Sequence, residues 1–244
     1  MTGSTAKRCR PPPRSSPRRL ARTSLSERKS KVRWCRRALL RWYRKNGREF
    51  AWREPSASAF QRIVAEILLQ RTQAETVNRF FAPFFKQFGD WQDIHSADPN
   101  FIGGHLKEIG LWRRRAAGLK ALAAEMVRRK GKFPARREEL ETLPAVGQYV
   151  ASAVLLFAHN RPSPLLDAGM ARLLERVFEP RKLVDIRYDP ALQDLAHEFF
   201  RSRSSIELNW AALDVAALFC RRAKPVCPSC PLHGKCNYAR ARDV

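Results

Sequence analysis

Apolar residues recur along most of this chain at intervals of three and four, the period that puts side chains on one face of a helix. The pattern predicts a helix over Val32 to Asn46, closed by Gly47, and another over Ala59 to Gln73. In the second, Ile63, Val64, Ile67 and Leu68 stand at core spacing, and Ser56 or Ser58 can cap the start. Further helices are predicted over Glu75 to Phe88, Trp91 to Ser96, Asp98 to Ile109, Arg113 to Lys130 and Arg137 to Thr142. The pattern continues over Gly147 to Ala158, Ala168 to Phe178, Pro190 to Phe200 and Ile206 to Cys220. Connections are short and mostly carry Gly or Pro. No stretch alternates as a strand should, and no internal repeat stands out. The fold class is therefore all-α.

Residues 1–30 depart from this pattern. They are rich in Arg, Pro and Ser, include Pro11-Pro12-Pro13, and lack apolar periodicity, so they read as a disordered basic arm. Their Arg/Ser-rich, acid-poor makeup also resembles an organelle transit peptide, although the three prolines would break an amphipathic helix.

Charge changes the picture more than composition does. The 44% hydrophobic content is ordinary, and 244 residues suffice for one large or two modest domains with cores. A net charge of +24, from 47 Lys and Arg against 23 Asp and Glu, calls for a polyanionic partner, most simply nucleic acid. Thirteen basic residues and one Glu fall in the first 37 residues, so half the excess lies near the N-terminus. That arm could add non-specific phosphate contacts. No apolar run approaches the roughly 20 residues that span a bilayer, and no secretory h-region precedes the first helix. An intracellular protein without a membrane partner is expected. In a reducing compartment, its six cysteines are not a disulfide framework.

Four of those cysteines form the sharpest chemical signal. Cys220, Cys227, Cys230 and Cys236 lie in FCRRAKPVCPSCPLHGKC with spacing C-x6-C-x2-C-x5-C. Thiolates packed on one short loop repel unless a cation holds them. Four sulfurs suit tetrahedral zinc or a [4Fe–4S] cluster. The spacing leans toward the cluster, because only Cys227 and Cys230 form a C-x2-C knuckle. Cys9 and Cys35 lie far away in sequence and read as unliganded thiols.

A second signal is the segment Leu143 to Asp167, LPAVGQYVASAVLLFAHNRPSPLLD. Its Pro/Gly turn over Leu143, Ala145 and Gly147 opens an apolar helix, so unpaired N–H groups at the turn and helix start can hold a phosphate. The segment ends on Asp167, a carboxylate placed to begin another helix. Such a residue can be a plain helix cap. Beside a bound nucleotide it can also act on the sugar.

Together, LP-x-VG, the following Asp and the cysteine quartet resemble the helix–hairpin–helix DNA glycosylases of the endonuclease III superfamily. The resemblance runs from about Val32 to the C-terminus. It implies a six-helix barrel with the hairpin over 56–164, and a second helical domain with a [4Fe–4S] cluster loop over 31–55 plus 165–244. The active-site cleft would lie between them. The cysteines match the family's cluster ligands. Asp167 matches its catalytic aspartate, which stabilises oxocarbenium character at C1′ or deprotonates the attacking water. The helix N-terminus is expected to keep Asp167 ionised. Tyr149 stands where strand-cleaving members carry Lys, the amine that forms a Schiff base. Tyr at this position resembles the thymine/uracil glycosylases acting on G mismatches, which implies a monofunctional enzyme that leaves an abasic site.

The same resemblance extends to the base pocket and the duplex. Ile63, Glu66 and Gln70 share a helix stripe in QRIVAEILLQRTQAETV, and Glu66 is expected to engage an extruded base. Gln70 and Arg71 match a loop that enters the helix from one side, and Leu111 and Trp112 in EIGLWRRRAAGL match the loop from the other. Arg113, Arg114 and Arg115 are expected to follow onto phosphates. The expected partner is double-stranded DNA with a mispaired or damaged base, and the protein is expected to be a monomer.

Two positions depart from the family pattern. Ala145 replaces a hairpin glycine, and Gly169 stands where relatives carry Asn. These keep open a glycosylase for adenine or another modified base, and a catalytically weak DNA-binding module with a structural cluster.

Overall fold

The computed structural model describes residues 24–179 and 185–242. Most of the basic arm and the expectations attached to it, including Cys9, lie outside the described residues. Twelve α-helices follow in order: α1 Leu25–Asn46, α2 Ala59–Leu69, α3 Ala74–Gln87, α4 Trp91–Ser96, α5 Pro99–Gly104 and α6 Trp112–Arg128. Then come α7 Arg137–Leu140, α8 Gln148–Phe157, α9 Ala168–Phe178, α10 Pro190–Phe200, α11 Ser205–Leu218 and α12 Asn237–Arg240. Single 3-10 turns lie at Ala51–Arg53 and His233–Lys235. Among the described residues there is no strand, as expected.

The helix boundaries depart from the sequence reading where local chemistry decides them. The first helix begins at Leu25, inside the stretch expected to be disordered. Ser24 accepts from the Glu27 N–H while the Glu27 carboxylate accepts from the Ser24 N–H, a capping box that satisfies two otherwise unpaired amides. Ser58, not Ser56, caps α2 by the same device with Gln61. That helix stops at Leu69 rather than Gln73, because Arg71 takes a left-handed φ of 58°. The helix expected to reach Ile109 ends at Gly104, where two consecutive glycines, Gly103 and Gly104, weaken helical backbone.

Helices α2 to α8 pack mainly on one another, with α6 lying against α4 and α5, and α8 against α2 and α7. Helix α1 packs on α11, while α9 joins α10, α11 and α12. The contact between α8 and α11 connects the two groups. A single apolar core runs through both, from Leu39 and Trp52 to Val154, Phe199 and Ala212. Polar ties reinforce the second group. Lys31 donates to the Val177 carbonyl and to Asn237 Oδ1, and Arg36 donates to the Phe199 carbonyl. No helix among the described residues is long and apolar enough to cross a membrane.

Candidate active site

A cavity of about 690 Å³ opens between the two groups of helices. Its walls bring together residues from both: Glu66 of α2, Tyr149 of α8, Asp167 at the start of α9 and Trp210 of α11. Gln70, Arg71, Ala145 and Gly147 line the same cavity. Residues that the sequence could only place on separate helices thus meet at one opening.

Glu66 is 1% exposed, on the core-facing side of α2. The Tyr149 hydroxyl donates to its Oε2 at 2.7 Å. Burial pushes the Glu66 carboxyl up to about 7; the tyrosine hydrogen bond and the Arg53 charge oppose that, and the nearby Asp167 adds to it. Burial, then the Glu66 and Asp167 charges, raise the Tyr149 phenol well above its ordinary range. At neutral pH, Tyr149 is therefore a neutral donor and Glu66 can exist as acid or carboxylate.

Asp167 is the N-cap of α9, and its Oδ1 accepts from the Met170 N–H at 2.6 Å. The helix amides favour its ionised form, as expected, but a second influence acts the other way. Burial of the carboxyl raises its pKa, outweighing the Met170 and Gly169 amides and the Arg172 charge that lower it. By surface area the residue is exposed, because it borders the open cavity. That open side is the one a substrate would fill, and displacing water there acts in the same upward direction. A Cβ on Gly169 would lie 3.2 Å from Asp167 Oδ1, so the glycine leaves the flank of the carboxylate clear.

The hairpin has the predicted form. The Val146 N–H donates to the Leu143 carbonyl at 3.2 Å, closing a turn with Pro144 and Ala145 at its centre. Ala145 has φ +60°, the left-handed region expected of the glycine it replaces. No side chain caps α8 at Gly147. An uncapped helix start next to the cavity can bind an anion such as a phosphate.

The expected duplex-entering residues separate. Gln70 and Arg71 are exposed at the cavity rim. Leu111 is 59% exposed with φ +61°. Trp112 is not an exposed wedge: it is half-buried against α5, where a Cβ on Gly103 would lie 2.6 Å from its ring, and Arg113 stacks on it at 4.2 Å. Arg113 and Arg114 are exposed, but Arg115 is turned inward onto backbone carbonyls and cannot follow them onto phosphates.

Sequence reasoning missed the cationic wall. Asp214, fully buried on α11, accepts from Arg48 Nε at 2.8 Å and from Arg53 Nη1 and Nη2 at 2.8 and 3.0 Å. Both guanidinium groups lie 4.9 Å from the Phe50 ring, and that ring stacks on Trp52 at 4.6 Å. Arg48, Phe50, Trp52 and Arg53 all line the cavity. The one available clue was a lone acid in the otherwise apolar NWAALDVAAL, since a buried charge requires a partner.

The four cysteines of the quartet line a separate small cavity below α9. Arg176 Nη1 lies 3.5 Å from Cys220 Sγ, and the Cys236 thiol donates to the Arg176 carbonyl at 3.4 Å. Arg172 donates to the Cys220 carbonyl at 2.6 Å. Among the described residues, no three Cys, His, Asp or Glu side chains converge tightly enough to hold one metal ion. Four cysteine sulfurs around one cavity are a donor set that suits either zinc or a [4Fe–4S] cluster. Cys35, far away in sequence, is buried on α1 close enough to interact electrostatically with Cys230 and Cys236, and does not line the cavity.

This all-helical fold, with a hairpin and a buried acid at one opening, defines a class of DNA repair enzyme. The chain belongs to the HhH-GPD superfamily of base excision DNA repair proteins, whose family model matches residues 64–189. It is 34% identical to a thymine-DNA glycosylase of Aeropyrum pernix, over 86% of this chain and 96% of that protein. It is 33% identical to a thymine/uracil-DNA glycosylase of Pyrobaculum aerophilum, over 85% of this chain and 93% of that one. Its structure resembles that of a thermostable thymine-DNA glycosylase with a TM-score of 0.78 and 28% identity, covering 87% of this chain and 98% of that chain.

Proposed function

We propose that this protein is a monofunctional DNA glycosylase that removes thymine or uracil mispaired with guanine and leaves an abasic site. The observation that carries the reading is the meeting of Asp167, Glu66 and Tyr149 at one cavity beside an uncapped helix start. The hairpin from Leu143 to Gly147 would hold a phosphate of duplex DNA, and the extruded nucleotide would occupy the cavity. The bond from C1′ to the pyrimidine nitrogen breaks with its electron pair leaving on the base. Asp167, as carboxylate, stabilises the cationic sugar and takes a proton from the water whose oxygen bonds to C1′. Glu66, with its carboxyl near 7, can donate a proton or hydrogen bond to the departing base. Tyr149 holds Glu66 in place. Its phenol cannot form an imine with C1′, so no covalent route to strand cleavage opens at that position.

Cys220, Cys227, Cys230 and Cys236 would hold a [4Fe–4S] cluster. A bound cluster would supply a cross-link within the C-terminal loop. Arg172 and Arg176 of α9 then anchor that loop to the helix whose first turn Asp167 caps. The partner is double-stranded DNA carrying the mispair, engaged by a monomer.

Duplexes containing G·T, G·U or 8-oxoguanine·A test the reading, each assayed with and without alkali. Alkali-dependent breaks at T and U opposite G support it. Breaks without alkali contradict the monofunctional assignment, and release of adenine alone contradicts the substrate.

A further inference from the structure

Arg115 lies in the first turn of α6, directly behind Leu111, and its guanidinium group reaches across to the end of α2. Its Nε donates to the Gly110 carbonyl at 2.8 Å. Nη1 donates to the carbonyls of Ile67 and Leu68 at 3.2 and 3.0 Å. Nη2 donates to the Gln70 carbonyl and, at 3.0 Å, to Thr72 Oγ1. A guanidinium has five N–H donors in a fixed plane, and here there are five acceptors. Four belong to the end of α2 and the turn after it, and the fifth to the loop before α6, more than forty residues beyond the end of α2 in sequence. That turn carries Gln70 and Arg71, and that loop carries Gly110 and Leu111.

The arrangement solves a problem at each loop. The last carbonyls of α2 have no intrahelical partner, and a cation there also complements the negative end of the helix dipole. Both loop tips hold a non-glycine residue in the left-handed region, Arg71 at 58° and Leu111 at 61°. Such conformations persist only where surrounding contacts fix them. The Arg115 guanidinium binds the carbonyl on one side of each tip, at Gln70 and at Gly110.

We propose that Arg115 is a positioning residue for base extrusion, a brace that fixes the Gln70–Arg71 and Leu111 tips relative to each other so that both enter the duplex together. The inference rests on the glycosylase reading above. It assigns Arg115 to the protein's own backbone rather than to DNA phosphate. Lysine would keep the charge but offers three donors from a single point and cannot span both loops.

The test compares wild type, Arg115→Lys and Arg115→Met by single-turnover base release, with folding monitored by circular dichroism. One substrate places uracil opposite guanine in a stacked duplex. The other places uracil opposite a tetrahydrofuran abasic analogue, where the base is already unpaired. Both variants should lose about 10- to 100-fold on the first, the size of effect that misplaced groups produce. They should lose several-fold less on the second. The salt dependence of DNA binding should keep the wild-type slope, whereas loss of a phosphate contact lowers it by about one. Equal losses on the two substrates, or a reduced salt slope, would overturn the brace while leaving the glycosylase reading intact. A wild-type protein that releases uracil from neither substrate would overturn that reading and the brace with it. Lysine performing as well as arginine on both substrates would also overturn it.

Discussion

The Tyr149 hydroxyl donates a 2.7 Å hydrogen bond to Oε2 of Glu66, joining α8 to α2 at the floor of the cavity. This bond ties Tyr149, on which the proposed absence of strand cleavage rests, to a buried carboxyl. Because the bond favours the charged form of Glu66, Tyr149→Phe should move the Glu66 pKa further above about 7. If protonated Glu66 assists departure of the base, activity falls as pH rises through that value. The alkaline limb of the wild-type pH–rate profile should therefore shift upward in Tyr149→Phe and vanish in Glu66→Gln. A profile unchanged in both variants would remove Glu66 from the chemistry.

The same carboxyl has a stability signature. Its pKa is raised from about 4.5 to about 7 in the folded state, so the folded protein binds more protons than the unfolded chain between those values. Stability should decline as pH rises across that window, by about 3 kcal/mol in total. Glu66→Gln should flatten the slope and raise the denaturation midpoint near pH 8, even while activity is lost. Urea titrations at several pH values check this.

Asp214 holds Arg48 and Arg53 against the Phe50 ring, and in its pair with Arg53 both side chains are buried. Breaking a buried pair leaves charge without a partner. Asp214→Ala should cost about 3–5 kcal/mol and unsettle the cationic wall of the cavity. A thermal midpoint close to wild type would show that the pair is dispensable.

At Ala145, glycine should be better tolerated than the native residue. The φ of +60° carries no penalty for glycine, so Ala145→Gly should stabilise by about 0.5–1 kcal/mol, part of the gain being offset by unfolded-chain entropy. DNA affinity should hold or improve. A destabilised variant would mean that the packing of the Ala145 methyl against Gly118 outweighs the backbone cost.

Replacing Cys227 with serine should bleach the visible absorbance expected of a bound cluster and lower the thermal midpoint. Colourless wild-type protein containing stoichiometric zinc would refute the cluster.

The parts of this protein readable from sequence are those set by local chemistry. Helical periodicity, the Pro/Gly turn at the hairpin, the cysteine spacing and the carboxylate at the start of α9 all depend on near neighbours. Even the early start of α1 was encoded locally, in Ser24 and Glu27. What was not readable depends on residues distant in sequence. Asp214 meets Arg53 across 161 positions, and Arg115 meets the end of α2 across 48. The Asp167 pKa shows both influences. The downward pull of the helix amides could be anticipated, but the burial that outweighs it comes from the assembled cavity. Trp112 is a nearer case: Gly103 of α5, only nine positions earlier, leaves room for its ring, and no sequence pattern marks that pairing.

The most direct test of the account is base release from a G·U or G·T duplex by wild type and Asp167→Asn, with binding to the same duplex measured in parallel. The account predicts alkali-labile product and no spontaneous strand break from wild type. It predicts no detectable turnover from Asp167→Asn, with affinity for the duplex retained. An active Asp167→Asn protein, or wild-type cleavage without alkali, would contradict it.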